Sequence, residues 1–362
     1  MARYVLNDPE LDDIIRQIVA DASDNEHGDL IREIITTALK LHRDGADRGE
    51  LRLVNTALKE IRYSMLVFSK DRHRPKVTMY GSARMPPGHP EYTLASEFAR
   101  IMVERDWAVI TGAGPGIMAA GNQGAGRAAS YGVNIRLPFE AESNGFIDQD
   151  KLINFKYFFT RKLGFVKESS GFALFPGGFG TMDETFELLT LIQTGKSDMH
   201  PIVMVETEGS DYWSEWDAFV RKELVGGGLI TSDDLNLYKL TTDPTAAADE
   251  ICSFYANYES QRYVDGSLIL RIRRPPTDEQ LSSLNDGYAD ILAEGTIQSI
   301  DPTEIEIRDS DSLDSARLAF RFDRRQFGKL RAMIDDINSW VDVTPTSRPG
   351  VPFTEEQQER PW

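Results

Sequence analysis

The feature that most constrains this chain is an apolar run, Gly171 to Phe175, that leads directly into a glycine-rich turn. The run has the length and composition of a buried strand, and the residues after the turn follow a helical pattern to about Gln193. The turn reads Pro176-Gly177-Gly178-Phe179-Gly180-Thr181-Met182-Asp183-Glu184. A strand, a glycine turn and a helix in this order aim free backbone N–H groups at an anion. We therefore predict that this turn binds a phosphorylated ligand.

Each residue type in this turn has a predicted role. Gly177, Gly178 and Gly180 allow the backbone to approach a ligand closely, since they carry no Cβ. Thr181 is predicted to cap the helix and to offer its hydroxyl to the anion. Glu184, placed in the first turn, would repel a phosphate at the same point, so we interpret it as reaching toward a ribose or the bond to be broken. The alternative interpretation is an ordinary strand-to-helix turn with a favourable acidic first turn.

Composition limits the classes of function. The 362 residues are enough for two or three domains. A formal net charge of −18 argues against nucleic acid as a partner, because nucleic-acid-binding proteins usually carry a basic face. The single cysteine, Cys252, excludes an internal disulfide and a multi-cysteine metal site. The N-terminal residues lack the layout of a secretory signal, and no apolar run approaches the length of a membrane span, so we expect a cytoplasmic protein.

Strand and helix patterns alternate over residues 75–258, which predicts an α/β fold with a doubly wound, Rossmann-like parallel sheet and helices on both faces. Ligands of such sheets bind at the carboxyl ends of the strands, where the strand order reverses. The glycine-bearing turns after Tyr80, Ile110 and Phe175 all follow predicted strands. Within this region we also predict a strand at Phe155–Phe159, a helix at Thr160–Ser170 and a helix from Pro244 to about Tyr258.

The flanking regions have different patterns. Residues 1–74 are predicted to form an N-terminal helical extension, and residues 262–341 a small α+β module. In that module we predict strands at Tyr263–Arg273, Ile297–Ile300, Ile305–Ile307 and Ala316–Phe322. Residues 345–362, rich in Pro, Glu and Gln, are predicted to be a disordered tail.

Two further glycine turns limit the choice of ligand. They are Gly81-Ser82-Ala83-Arg84 and Thr111-Gly112-Ala113-Gly114-Pro115-Gly116. A dinucleotide site is disfavoured, because Ile117 stands where the third glycine of G-x-G-x-x-G belongs, and the strand ending at Leu137 lacks the acidic residue that would hold an adenosine ribose. No G-K-[ST] follows any glycine turn, which argues against nucleoside triphosphate hydrolysis. The ligand that remains is a mononucleotide or a sugar phosphate.

The motifs PGGFGTMDE and TGAGPGIM, the latter following the YGSAR turn, resemble the P-G-G-x-G-T-x-x-E signature and the second glycine motif of the LOG family, whose members were long labelled lysine decarboxylases. The resemblance covers about residues 75–258. Members of this family hydrolyse the N-glycosidic bond of a nucleoside 5′-monophosphate, such as AMP or a cytokinin riboside monophosphate, to free base and ribose 5-phosphate. The resemblance therefore implies that Glu184 and Arg161 are catalytic. It also implies a homodimer or a higher homo-oligomer.

The chemistry is consistent with this assignment. Cleavage of the C1′–N bond builds positive charge on the ribose, which an ionised carboxylate stabilises, and we expect the helix dipole to keep Glu184 ionised. Lysine decarboxylation would need pyridoxal phosphate on a lysine with an acidic partner for the ring nitrogen, and no such pair can be nominated. We expect neither a cofactor nor a metal.

The predicted substrate-binding residues come from the three turns and from the Arg161-Lys162 pair, and they are Gly81, Ser82, Thr111, Gly112, Gly114, Gly116, Met118, Lys162, Gly177, Gly178, Gly180, Thr181 and Asp183. Simpler roles compete with some of these: turn capping for Ser82, a surface salt bridge for Arg161, and a solvated helix face for Asp183 and Glu187. Two alternative functions stay open, which are a non-catalytic nucleotide sensor or carrier on the same fold and a regulatory ligand site in residues 262–341.

Overall fold

The computed structural model describes residues 4–22, 27–136 and 143–341, with no account of the side chains of residues 21 and 22. The predicted tail, 345–362, and the end of the predicted third strand at Leu137 lie outside the described residues. The chain divides into two compact units, Met1–Arg62 and Tyr63–Trp362. The domain boundaries predicted at residues 74, 258 and 341 stay predictions.

The first unit is helical. It contains α1 (Pro9–Ala22), α2 (Gly28–Arg43) and most of α3 (Arg48–Ser69). A small apolar cluster holds the first two helices together, formed by Leu6, Ile15 and Val19 with Ile35 packed against them. Arg43 at the end of α2 donates to the backbone carbonyl of Leu6, which ties the two ends of this hairpin together.

The second unit is built on a seven-stranded parallel sheet. Its strands are β1 (Lys76–Tyr80), β2 (Ala108–Thr111), β3 (Ser130–Ile135), β4 (Leu152–Phe155), β5 (Gly171–Leu174), β6 (Ile202–Val205) and β7 (Lys239–Thr241). They lie in the order β4-β3-β2-β1-β5-β6-β7. The apolar residues of β1, β2, β5 and β6 are fully buried, as expected for a sheet covered on both faces. This is the predicted doubly wound α/β fold.

Helices connect these strands, and they are α4 (Pro90–Glu104), α5 (Ile117–Ala125), α6 (Phe158–Glu168), α7 (Phe179–Gln193), α8 (Tyr212–Phe219) and α9 (Pro244–Ser253). The predicted bounds of three elements were wrong. The strand predicted at Phe155–Phe159 ends at Phe155, and the next helix begins at Phe158 rather than Thr160. The helix predicted to run to Tyr258 ends at Ser253, because Tyr258 begins a strand that pairs with the next strand of the chain.

A smaller antiparallel sheet follows, with strands β8 (Tyr258–Val264), β9 (Ser267–Ile272), β10 (Leu292–Ile300) and β11 (Ala316–Phe322) in the order β10-β11-β9-β8. The single strand predicted at Tyr263–Arg273 is instead a hairpin. Its turn residues, Asp265 and Gly266, both have positive φ (48° and 82°), as a two-residue hairpin turn requires. The Asp-Gly pair was therefore a local signal that the sequence interpretation missed.

Three helices accompany this sheet, α10 (Asp278–Gly287), α11 (Glu304–Asp309) and α12 (Phe327–Asn338). The strand predicted at Ile305–Ile307 is wrong, since those residues lie in α11. Thr303 and Glu306 form a capping box, and the buried Glu306 carboxylate accepts from Arg271 and Arg317 on the sheet. Local capping and a long-range ion pair together favour the helix over the strand suggested by alternating isoleucines.

Candidate active site

The candidate site lies where the order of the large sheet reverses, between β1 and β5. These central strands pair in parallel, with Tyr80 opposite Leu174. The chain runs from β1 toward β2 on one side and from β5 toward β6 on the other, so the turns after them diverge and leave a crevice. The turns that begin at Gly81 and Pro176 border this crevice, and the turn after β2 joins them.

Backbone hydrogen bonds hold the three glycine turns together. The N–H of Ser82 donates to the carbonyl of Pro176 at 3.0 Å, and the carbonyl of Ser82 accepts from the N–H of Ile117 at 2.9 Å. One residue of the first turn thus bridges the other two. Because backbone atoms make these contacts, the turns form one rigid rim at the carboxyl edge of the sheet.

Two glycines are required by this close approach. Gly116 has a φ of 68°, and a Cβ at this position would lie 2.2 Å from the carbonyl oxygen of Ser82. A Cβ on Gly177 would lie 2.1 Å from Oγ1 of Thr181. Both distances are below any real van der Waals contact, so a side chain at Gly116 would push the first and second turns apart, and one at Gly177 would clash with the start of α7. Gly178 and Gly180, by contrast, are exposed and border open space.

Two side-chain amides that sequence reasoning missed, those of buried Asn122 and half-buried Asn144, hold the second turn. The Thr111 hydroxyl donates to Oδ1 of Asn122 at 2.6 Å and accepts from the N–H of Ala113 at 3.0 Å. Asn144 donates through Nδ2 to the same Asn122 oxygen and to the carbonyl of Gly114. The Thr111 hydroxyl is therefore committed to the turn. No local pattern marked Asn122 or Asn144, because their partners are distant in sequence.

Ala113 lies at the centre of this turn with a φ of 63°, and it is fully buried. The left-handed region is unfavourable for a residue that carries a Cβ. The Ala113 side chain packs with Ile147 and Leu152, and these contacts compensate for part of the strain.

Arg161 on α6 is held at the floor of the crevice. Its Nε donates to the carbonyl of Val133 at 2.9 Å, and its Cζ lies 5.1 Å from the centroid of the Phe165 ring. A Cβ added to Gly112 would come within 2.5 Å of Arg161 Nη2, so the guanidinium lies directly against the second glycine turn. The guanidinium is buried among the turns, which is unlike the exposed salt bridge considered as the simpler role.

Glu184 on α7 lies beside that guanidinium, with 3.8 Å between Oε1 and Nη1 of Arg161. The helix begins at Phe179 with Gly178 as its N-cap, so Thr181 is not the cap, and Glu184 lies in the second turn. Both assignments made from the sequence placed the helix start two residues too late. Thr181 is instead the third residue of the helix, and its hydroxyl lies against Gly177.

Burial raises the pKa of Glu184 to about 7, although the positive charges of Arg161 and Lys162 lower it, and the carboxylates of Asp183 and Glu187 raise it further. The expectation that the helix dipole keeps this carboxylate ionised was therefore wrong. Desolvation exceeds a dipole effect that weakens beyond the first turn. Near neutral pH, Glu184 is present in both protonation states.

Lys162 joins the two acidic residues considered alongside Glu184. Its Nζ lies 2.8 Å from Oδ2 of Asp183 and 3.0 Å from Oε2 of Glu187. Burial alone would lower the pKa of Lys162, but these two hydrogen-bonded carboxylates raise it. The interaction links α6 to α7 and fixes the distance between Arg161 and Glu184.

The remaining predicted residues lie at the same rim. Ser82 accepts from the N–H of Arg84 at 3.1 Å through its hydroxyl, which is the turn-capping role considered for it. Gly81 packs against Ile117, and the side chain of Met118 lies against Gly112 and Gly114.

Among residues 4–22, 27–136 and 143–341, no helix is long and apolar enough to cross a membrane. The same part of the chain contains no cluster of three or more His, Cys, Asp or Glu side chains suited to a metal ion.

Comparison with known families matches residues 115–251 to the family described as "Possible lysine decarboxylase". The match lies within residues 75–258 and confirms the resemblance to the LOG family, once labelled in that way. Among curated proteins, none matched the chain significantly.

Solved structures with some similarity include a molybdenum cofactor carrier protein from Chlamydomonas reinhardtii, with 19% identity and a TM-score of 0.33 over 48% of this chain and 93% of that one. A protein designated TM1055 also matches, with 19% identity and a TM-score of 0.33 over 47% of this chain and 92% of that one. Similarity at this level does not identify a function.

Proposed function

We propose, from the resemblance of the glycine motifs to the LOG family, from the match of residues 115–251 to the family described as "Possible lysine decarboxylase" and from the geometry of the crevice, that this protein hydrolyses the N-glycosidic bond of a nucleoside 5′-monophosphate such as AMP. The products are the free base and ribose 5-phosphate. The observation that carries the proposal is the pair of half-buried Glu184 and buried Arg161 at the reversal of strand order, bordered by three glycine turns. Backbone amides at the turns suit a phosphate, and the carboxylate suits an electron-poor sugar carbon.

In the proposed reaction the C1′–N bond breaks and its electron pair leaves with the base. The oxygen of a water molecule bonds to C1′, one water proton passes to the Glu184 carboxylate, and the base nitrogen is protonated in exchange. The ionised form of Glu184 also stabilises the positive charge that develops on the ribose. Arg161 favours that ionised form because its guanidinium lowers the pKa of Glu184.

Lysine decarboxylation is not supported by these residues. The lysine would have to be a neutral amine to form a Schiff base. Lys162, which lies beside the proposed catalytic pair, is bound by Asp183 and Glu187, and they raise its pKa. The same contacts that order the site therefore keep this lysine protonated.

The test is incubation of purified protein with each nucleoside 5′-monophosphate, followed by chromatography for free base and ribose 5-phosphate. We expect base release by the parent protein and a loss of about 10²- to 10⁴-fold in Glu184→Gln. Glu97→Gln makes the same chemical change on the exposed face of α4 and should retain full activity. If a nucleotide binds tightly yet stays intact for hours, the protein is a sensor or carrier and the enzymatic proposal fails.

We also propose that a second copy of the chain covers part of α6 and α7, since these helices carry exposed aromatic and aliphatic side chains, Phe158, Phe159, Leu163, Phe179 and Phe186. Phe179, 97% exposed, borders an open groove of about 520 Å³ along α7, which Phe186 also lines. Exposed apolar surface of this kind is typical of a protein–protein interface. Light scattering should give a dimer or larger assembly, and Phe179→Ser should shift it toward the monomer. A monomeric parent would refute this assignment.

We also propose a cytoplasmic location. The single cysteine, Cys252, is buried and free, so the fold does not need an oxidising compartment to form a disulfide.

A further inference from the structure

The hydroxyl of Tyr212 donates to the carbonyl oxygen of Gly177 at 2.5 Å. Tyr212 is the first residue of α8, which follows β6, so this contact connects the neighbouring strand-to-helix connection with the glycine turn after β5. Tyr212 was not among the site residues predicted from the sequence, and it does not lie in any glycine motif. Its contact is with the backbone of the turn, whereas Arg161 and Glu184 interact through side chains.

The contact determines the direction of one backbone donor. The peptide group that joins Gly177 to Gly178 is planar, so its N–H points away from its carbonyl. Glycine on both sides leaves this peptide free to rotate as a unit, because no Cβ restricts it. A hydroxyl bound to the Gly177 carbonyl stops that rotation. The N–H of Gly178 is then held on the side opposite to Tyr212, and Gly178 itself is exposed and borders open space.

Tyr212 is itself held in place by a buried carboxylate. Oε2 of Glu206, at the end of β6, accepts from the Ser210 hydroxyl at 2.8 Å and from the N–H of Trp213 at 3.0 Å. The Trp213 ring is fully buried and meets the Tyr212 ring edge-on, with 4.9 Å between the ring centroids. Tyr212 therefore has little freedom to leave the Gly177 carbonyl.

A second buried carboxylate holds the start of the same connection. Oε1 of Glu91, on α4, accepts from both the N–H and the hydroxyl of Thr207, at 2.9 and 2.8 Å. Residues 206–212 are thus held by hydrogen bonds within the connection and by hydrogen bonds to α4, the helix that follows the first glycine turn. Such support is more than a surface loop needs, and it ends at the Tyr212 hydroxyl, which donates to the glycine turn.

We propose that Tyr212 is a positioning residue for the nucleotide phosphate, which it serves by fixing the Gly177–Gly178 peptide so that the Gly178 N–H faces the phosphate. This inference rests on the proposed function, since it assumes a phosphate at the glycine turn. It predicts a specific defect when the hydroxyl is removed: weaker binding of phosphorylated ligands, with the chemical step little changed.

The test is Tyr212→Phe, which removes the hydroxyl and keeps the ring. We expect KM for AMP to rise on the order of tenfold with kcat nearly unchanged, because one charge-assisted hydrogen bond is weakened. The value of kcat/KM for adenosine, which has no phosphate, should not change. Tyr238→Phe is the matched control. The Tyr238 hydroxyl donates to Asp217 on α8, the helix that begins at Tyr212, and not to the glycine turn. An unchanged KM, or an equal loss for AMP and adenosine, overturns the proposal.

Calorimetric titration with ribose 5-phosphate separates this proposal from the proposed function. If the parent hydrolyses no nucleotide but binds ribose 5-phosphate, the catalytic proposal fails, and the dissociation constants of the parent and Tyr212→Phe still decide the role of Tyr212. A tenfold weaker constant in the variant supports it. Equal constants, or no binding of AMP or ribose 5-phosphate by the parent, refute it.

Discussion

Glu184 and Arg161 lie on neighbouring helices with 3.8 Å between Oε1 and Nη1, so their opposite charges interact without sharing a hydrogen bond. The guanidinium is instead bound to the Val133 carbonyl and stacked on Phe165. The Glu184 carboxylate therefore accepts no hydrogen bond from Arg161. In a tight bidentate pair, Arg161 would hold the carboxylate ionised, whereas here burial dominates and brings the pKa of Glu184 to about 7.

This pKa predicts the pH dependence of the proposed reaction. If the ionised carboxylate is the active form, kcat/KM for AMP rises with pH and levels off above about 7. Glu187→Gln should move the rising limb to lower pH, because the negative charge of Glu187 raises the pKa of Glu184, and its removal favours ionisation. Steady-state rates from pH 5 to 9 measure the rising limb of the parent and that of Glu187→Gln. A limb that stays in place in Glu187→Gln contradicts the assignment to Glu184.

The same pKa makes a prediction about stability. The folded-state pKa of Glu184 is raised above the unfolded value, so its contribution is present below pH 4.5 and is lost as pH rises through 7. The loss is on the order of 3 kcal/mol, given about 1.4 kcal/mol for each pKa unit. Glu184→Gln lacks this loss, and it should gain in Tm relative to the parent between pH 4.5 and 7. Thermal unfolding at several pH values tests this, and parallel Tm curves would argue against a raised pKa.

Gly112→Ala should displace the arginine of the pair. The added methyl would lie 2.5 Å from Nη2 of Arg161 and 2.7 Å from Sδ of Met118, so the guanidinium must move. A shift of about 1 Å in a catalytic group can cost on the order of 10²-fold in rate. We expect kcat/KM for AMP to fall by that order. Gly287→Ala, where an added Cβ meets nothing within 4 Å, is the control and should leave kcat/KM unchanged.

Ala113→Gly should be far less harmful than an ordinary deletion of a buried methyl. Relief of the left-handed conformation gains about 1–2 kcal/mol, which offsets about 0.8 kcal/mol for the lost methyl and about 0.5–1 kcal/mol for the added chain entropy. The free energy of unfolding should therefore change by less than about 1 kcal/mol. Ala120→Gly, equally buried but helical, should cost about 2 kcal/mol. Urea denaturation compares the two, and equal losses would show that Ala113 is not strained.

Much of the fold followed from patterns that are local in the chain. Each buried strand of the large sheet is a short apolar run before a turn, and each glycine turn is readable because the glycine requirement arises within a few residues. The same reasoning failed where residues outside an element decided its conformation. Tyr258 was assigned to a helix because the Asp265-Gly266 turn that brings it opposite Ile272 was missed. Ile305–Ile307 was assigned to a strand because its alternation resembled one, whereas the ion pairs of Glu306 with Arg271 and Arg317 favour a helix.

What the amino-acid sequence determined by itself is the alternation of strands and helices, the three glycine turns and the presence of Glu184 beside the third turn, while Arg161 was named through the resemblance to the LOG family. Only the tertiary structure decided that these turns share one rim, that Tyr212 and Asn122 hold it, and that Glu184 is partly desolvated beside Arg161. The physical reason is the distance along the chain over which each interaction acts. Hydrogen bonding within a turn depends on adjacent residues, whereas desolvation and charge interaction depend on every element packed around a group. The protonation of Glu184 is therefore a property of the assembled crevice.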